Sequence, residues 1–181
     1  MGEPTEPSSA LLILAAFSRF PEALDWTRER ATAAWGPIAL ASHPFAFVET
    51  DYYQAQMGPD LTKVFWAFEI PLDSGRLADI KIQTNEWEAA YVMLSRHAAE
   101  RPLNLDPGYL TLAKLVLAST KDHAHRIYLG RGIFAEVTLH YRHHRWQHHD
   151  WTFPDYRRAD YQAFFSQCRA YLRERERGGP G

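Results

Sequence analysis

The sequence predicts an α+β fold: a single-domain two-layer sandwich of ferredoxin-like β-α-β units, with an added β-hairpin and a C-terminal helix. Three observations carry this. Two apolar strands are each followed by a helix with a one-sided apolar stripe, and a Gly-Arg-Gly turn joins two further strands. The last stretch then repeats its aromatics at helical spacing. At 181 residues the chain suits one domain that needs no disulfide or metal to fold.

Residues 1–9, with Pro4, Pro7, Ser8 and Ser9, read as a disordered lead-in, and residues 10–176 as the domain. Ala10–Ser18 is a continuous apolar run, as expected of a strand covered on both faces. Pro21 and Glu22 suit the first turn of a helix that Gly36-Pro37 ends, with Leu24, Ala31 and Trp35 on one face. Ile38–Val48 is extended and interrupted at Pro44. Glu49–Tyr53 reads as a polar-aromatic corner. Lys63–Leu72 alternates Val64, Trp66 and Phe68 on one face with Phe65, Ala67 and Glu69 on the other. Asp73 opens a helix to about Arg96, striped by Leu77, Ile80, Thr84, Trp87, Tyr91 and Leu94, with Asp79, Lys81, Asn85 and Glu88 on a solvated face.

Leu103–Leu110 reads as a short strand carrying an Asp106-Pro107-Gly108-Tyr109 turn. Thr111–Thr120 fits helical spacing (Leu112, Leu115, Val116, Ser119) and strand spacing (Leu115, Leu117, Ser119) alike. A short helix is favoured because Thr111 is a suitable N-cap. His125–Leu129 and Ile133–Tyr141 form a hairpin around Gly130-Arg131-Gly132, with Ile133, Ala135, Val137, Leu139 and Tyr141 on one face and Phe134, Glu136, Thr138 and His140 on the other. A cross-strand Arg126–Glu136 pair accounts for both charges. Ala159–Arg175 is an amphipathic helix with Tyr161, Phe164, Phe165, Cys168, Tyr171 and Leu172 inward, and 177–181 is a frayed tail.

Composition narrows the function classes. A formal net charge of −2, with both signs mixed, gives no field for bulk nucleic-acid binding. The apolar run at Leu11–Phe17 is too short for a membrane span, and Met1–Ser9 is acidic where a targeting leader would be basic. The single Cys168 excludes an internal disulfide, suits a reducing cytoplasm and reads as a buried structural thiol.

The side chains able to do chemistry concentrate between Asn104 and Tyr156. Lys114, Lys121, His123, His125 and Arg126 would converge on a phosphate or carboxylate, Arg126 as a two-pronged donor. Asp106, Asp122 and Glu136 would act as bases or hold a divalent cation, and His125 is the best acid/base candidate because imidazole as a group titrates near neutrality. Tyr109 or Trp151 would stack on the ligand. His140, His143, His144, His148, His149 and Asp150 suggest a weak surface metal loop, His143, His144, His148 and His149 being its candidates. Trp151–Arg157 either caps the C-terminal helix through Asp155 or walls a ligand pocket, and capping is favoured.

The succession NLDPGYL (104–110), KLVLASTKD (114–122), HRIYLG (125–130), GIFAEVTL (132–139) and WTFPDYR (151–157) resembles the bacterial and archaeal domain-of-unknown-function family 4416. Upstream GPI (36–38), TDYY (50–53), MGP (57–59), LADIK (77–81) and TNE (84–86) match it too. Members often carry an automated GTP-binding label, and the resemblance implies no activity beyond that. The residues do not support the label: no G-x-x-x-x-G-K-[ST] run exists, and Thr120-Lys121-Asp122 lacks the spacer of [NT]-K-x-D. The expectation is a small-molecule binding protein or enzyme for a nucleotide, phosphoester or other anion, the alternative a non-catalytic protein- or RNA-interaction module.

Overall fold

A computed structural model describes residues 2, 3, 5, 7–49 and 53–178. Its elements run β1 (Ala10–Ser18), α1 (Pro21–Trp35), β2 (Ile38–Ala41), β3 (Phe45–Ala46), α2 (Gln54–Met57), β4 (Thr62–Leu72), α3 (Leu77–Leu94), β5 (Asn104–Leu110), β6 (Lys114–Ser119), β7 (Ile127–Gly130), β8 (Ile133–Arg142), β9 (Arg145–His148) and α4 (Ala159–Gly178). Short 3-10 turns at Ser74–Arg76 and Pro154–Arg157 lead into α3 and α4. Residues 2, 3, 5 and 7–9 form no helix or strand, and the rest of the expected lead-in lies outside the described residues. So do residues 50–52 of the corner and residues 179–181 of the tail. Residues 177 and 178 belong to α4.

Among the described residues all strands share one sheet in the order β2-β4-β1-β5-β6-β8-β7, with β3 on β4 and β9 on β8. Each pairing is antiparallel. The half made of β2, β4, β1 and β5, with α1 and α3 as crossovers, is the ferredoxin-like split β-α-β pair expected. Strand β1 is its centre and is buried throughout. Leu12, Leu14 and Ala16 pack under α1 and α3, while Leu11, Ile13 and Ala15 pack against Tyr161, Phe165 and Cys168 of α4. The helix α4 thus adds a third layer, on the chain's own sheet.

Four local readings are corrected. Asp106–Tyr109 is not a turn, since β5 runs straight through it, paired with β1 from Leu110↔Leu11 to Asn104↔Phe17. Thr111–Thr120 is not a helix but the strand β6 and the turn before it. Thr111 does cap, its Oγ1 accepting from the N–H groups of Ala113 and Lys114, but it closes a β-turn. Because β6 is covered on both faces, Leu115 and Leu117 toward α4 and Val116 and Ala118 toward α3, its apolar run carries no strand alternation.

In β8 the expected alternation breaks at Thr138, where the register with β6 slips so that Leu115 faces Leu139 but Val116 faces Val137. Thr138 is the extra residue of a β-bulge, and beyond it Leu139 and Tyr141 turn to the α4 core while Ile133 and Val137 stay on the α3 side. The buried face of α3 also differs from the expected stripe. Leu77, Ile80, Thr84, Trp87 and Tyr91 are buried as expected, but Leu94 is exposed and Lys81 is buried, only 4 % exposed.

Candidate functional site

The sheet splits where β5 and β6 part. They pair only over Gly108–Leu110 and Leu115–Leu117. Gly108 has to be glycine: a Cβ there would sit 2.2 Å from the Val116 carbonyl oxygen. On the Asn104 side of Pro107, which has no N–H to donate, the strands separate. The backbone of Leu105 is satisfied by α3 instead. Its N–H donates to Glu88 Oε1 at 2.7 Å, and its carbonyl accepts from Lys81 Nζ at 2.7 Å.

Over this split lies a cavity of about 560 Å³, within the size range of small-ligand sites. Lys81 and Asn85 enter it from the α3 layer, and Asn104 and Asp106 from β5. Ser119 and Lys121 come from the end of β6, and Glu136 from β8. Phe153–Tyr156 line one part of it, and Phe17, Phe47 and Tyr53 supply further aromatic surface.

The charges form buried pairs. Lys63 Nζ donates to Asp155 Oδ2 at 2.6 Å, the side chains 3 % and 6 % exposed, and the ammonium lies within 5.8 Å of the ring centres of Phe17, Phe47, Phe65, Tyr156 and Tyr161. Lys81 bonds Asp106 Oδ1 at 3.3 Å, and Asn104 Nδ2 bonds Asp106 Oδ2 at 2.9 Å. Burial pushes the Asp106 carboxyl up, but Lys81, Lys63 and Arg101 outweigh it and hold the group below its ordinary value, so it stays ionised. Burial raises Glu88, against the pull of Lys81 and Arg101. Burial and the neighbouring Asp155 keep the Tyr156 phenol protonated, and among the described residues its hydroxyl has no hydrogen-bond partner.

Of the residues expected to bind or react, Asp106, Lys121, Arg126, Glu136 and Asp155 come together at this cavity. Two of them have other duties than expected. Arg126 is committed to the protein itself, with its Nε on Glu136 at 2.8 Å and its Nη1 on Ser119 Oγ and the Lys121 carbonyl, so it positions the 119–121 turn. The cross-strand Arg126–Glu136 pair expected of the hairpin is present. Asp155 does not cap α4 but neutralises Lys63, and its segment walls the cavity.

His125 sits at the edge, with Nε2 3.1 Å from Glu136 Oε2 and its ring stacked on Trp151. Trp151 also stacks on His149, and its Nε1 donates to the Val137 carbonyl, so it braces the His125 ring from outside the cavity. Lys114 lies at the far end of β6, opposite His140. Tyr109 packs on the α3 side with Val116 and Val137, and Asp122 is exposed in the segment after β6. None of these last three reaches the cavity.

The four histidine candidates for a metal are not brought together. His143 and His144 form the tip of the β8–β9 turn, and His149 pairs with His140 at 3.2 Å. Among the described residues no three His, Cys, Asp or Glu are grouped to hold an ion. Sequence reasoning misses Lys63, Lys81 and Asn104 as site residues. The available signal is charge within otherwise apolar patterns, on a strand in Lys63 and one residue after Ile80 of the helix stripe in Lys81.

Among the described residues no helix is long and apolar enough to cross a membrane. No curated protein and no solved structure matches the chain. The model of one family, a domain of unknown function (DUF4416), matches residues 8–171. That span takes in the split sheet, the buried pairs, the aromatic wall and most of α4, and the chain therefore belongs to the DUF4416 family.

Proposed function

We propose that the chain is a small-molecule binding protein or enzyme whose ligand, a nucleotide, phosphoester or other small anion, occupies the cavity over the split sheet. The observation that carries this is the set of charged side chains around an open space, Lys63, Lys81 and Asp155 buried and Asp106 half-buried. Burying an ion pair costs several kcal/mol per ion in desolvation, and a well-packed apolar replacement is often as stable or more so. A fold with this much aromatic core has no structural need of Lys63, Lys81, Asp106 and Asp155 in one place, whereas a polar ligand does. Supporting this, sequence pieces far apart in the chain meet there: Lys81 and Asn85, then Asn104 and Asp106, Ser119–Lys121, Glu136 and Phe153–Tyr156. The cavity also offers apolar area for a base or ring.

The buried Cys168 agrees with action in a reducing cytoplasm. Proton transfer would fall to the Glu136–His125 pair at the cavity edge, since the lowered Asp106 carboxyl is a weak base. The test is a thermal-shift screen against nucleotides, sugar phosphates and inorganic anions. A ligand at a hundredfold its Kd adds about 2.7 kcal/mol, raising the melting point by roughly 5–11 °C at this chain length. Loss of that rise in Lys81→Met supports the site, and an unchanged rise refutes it. The alternative, an interaction module, is favoured by exposed Ile127, Tyr128 and Leu129 on the edge strand β7. Silence across the screen with capture of a partner through that edge would select it.

A further inference from the structure

We infer that the ligand is a hydroxylated anion, of the sugar phosphate or nucleotide class, and that Asp106 is the residue that reads its hydroxyl groups. This rests on the cavity being the ligand site, as proposed above. Most carboxylates around the cavity are engaged by the protein: Glu136 by Arg126, His125 and Thr138, Asp155 by Lys63, Glu49 by Arg158. Asp106 differs in exposure: its side chain is 29 % exposed, while that of Asp155 is 6 % and that of Lys81 beside it 5 % exposed, and among the described residues its two oxygens receive one bond each, one of them long at 3.3 Å.

An ionised carboxylate offers about four lone-pair positions, so Asp106 turns unused acceptor capacity toward the cavity. An acceptor needs donors, and a bare phosphate or carboxylate has few or none to give at neutral pH. An anionic group placed against the Asp106 carboxylate would also be repelled by it. A molecule with a hydroxyl at Asp106 and its anionic group held elsewhere satisfies both conditions. Lysines 63, 81 and 121 and Arg101 border the same space, Lys81 against Asp106 and Arg101 on Glu88, and their positive charge favours a negative group in the cavity. The Asn104 amide, buried and bonded to Asp106, holds the carboxylate facing the cavity. The β5 segment that carries both is itself held by Lys81 and Glu88.

The test measures binding of four probes to the wild-type chain by calorimetry: inorganic phosphate, 2-deoxyribose 5-phosphate, ribose 5-phosphate and AMP. The expected result is at least tenfold tighter binding of the ribose phosphates than of inorganic phosphate, with the deoxy compound between them. In Asp106→Asn that preference falls below threefold. AMP binding more tightly than ribose 5-phosphate identifies a nucleotide, and equal binding a sugar phosphate. Inorganic phosphate binding as tightly as ribose 5-phosphate overturns this inference and leaves the cavity an anion site. A full preference retained in a folded Asp106→Asn overturns the role of Asp106. No binding by any probe overturns both readings. The wild-type comparison decides the ligand class even where the variant fails to fold.

Discussion

Replacing Lys63 by Met separates what the buried charges do for the fold from what they do for a ligand. Lys63→Met leaves the Asp155 carboxylate, 6 % exposed, without its counter-ion, and breaking one side of a buried pair costs about 3–5 kcal/mol. For a chain of this length each kcal/mol moves the melting point roughly 2–4 °C, so the variant melts roughly 6–20 °C lower. Lys63→Met/Asp155→Leu removes both charges and fills the space with apolar atoms among Phe17, Phe47, Phe65, Tyr156 and Tyr161. Its stability returns to within about 1 kcal/mol of the wild type or exceeds it, as apolar replacements of buried pairs do. Urea unfolding of the four members of this double-mutant cycle gives the coupling directly. The double variant also loses ligand protection despite its restored stability. A cost under about 1 kcal/mol in the single variant would mean that the pair is not desolvated. A double variant as unstable as the two single losses added would make the pair a requirement of the core.

Gly108→Ala drives a Cβ into the Val116 carbonyl oxygen and Leu117 and lowers stability by about 1–3 kcal/mol or prevents folding; urea unfolding measures it. His143 and His144 both have positive φ at the β8–β9 turn, so the double change His143→Asn/His144→Gly raises stability by about 0.5–1 kcal/mol. Ligand affinity, measured alongside, stays unaltered. Asp106 has a lowered folded-state value, so its stabilisation is complete above the ordinary carboxylate range and disappears as pH falls through the lower folded value. In Asp106→Asn the acid limb of the stability profile therefore flattens below about pH 4. The Cys168 thiol is buried and its ionisation pushed up by that burial. A thiol reagent labels it only at the rate of unfolding, and fast native labelling would contradict the packing of α4.

How much is legible in the sequence depends on whether the signal is local. The uninterrupted apolar run of Ala10–Ser18, the Pro21 start and Gly36 stop of α1, the Gly-Arg-Gly hairpin and the aromatic stripe of α4 are each encoded within one element, and each is readable. The Arg126–Glu136 pair is readable because hairpin register fixes who faces whom. The Thr111–Thr120 segment is not, because a strand covered on both faces has lost its alternation. Nor is the bulge at Thr138, since a single inserted residue leaves no mark in the pattern. The cavity itself depends on β5 and β6 parting. That parting rests on Glu88 and Lys81 of α3 meeting Leu105, 17 and 24 residues away. Lys81 looks solvated from its helical position because a helical wheel cannot know that the sheet beneath it is open.

The most direct test of the central claim fills the cavity and asks whether the ligand is excluded. Asn85 lines the space half-buried, so Asn85→Trp occupies it without removing a buried charge. The measurement is the thermal shift of wild type and Asn85→Trp with the best anion from the screen. A wild type stabilised by several degrees beside a folded Asn85→Trp that does not respond is the predicted result. Equal stabilisation of both would place the ligand elsewhere and contradict the account.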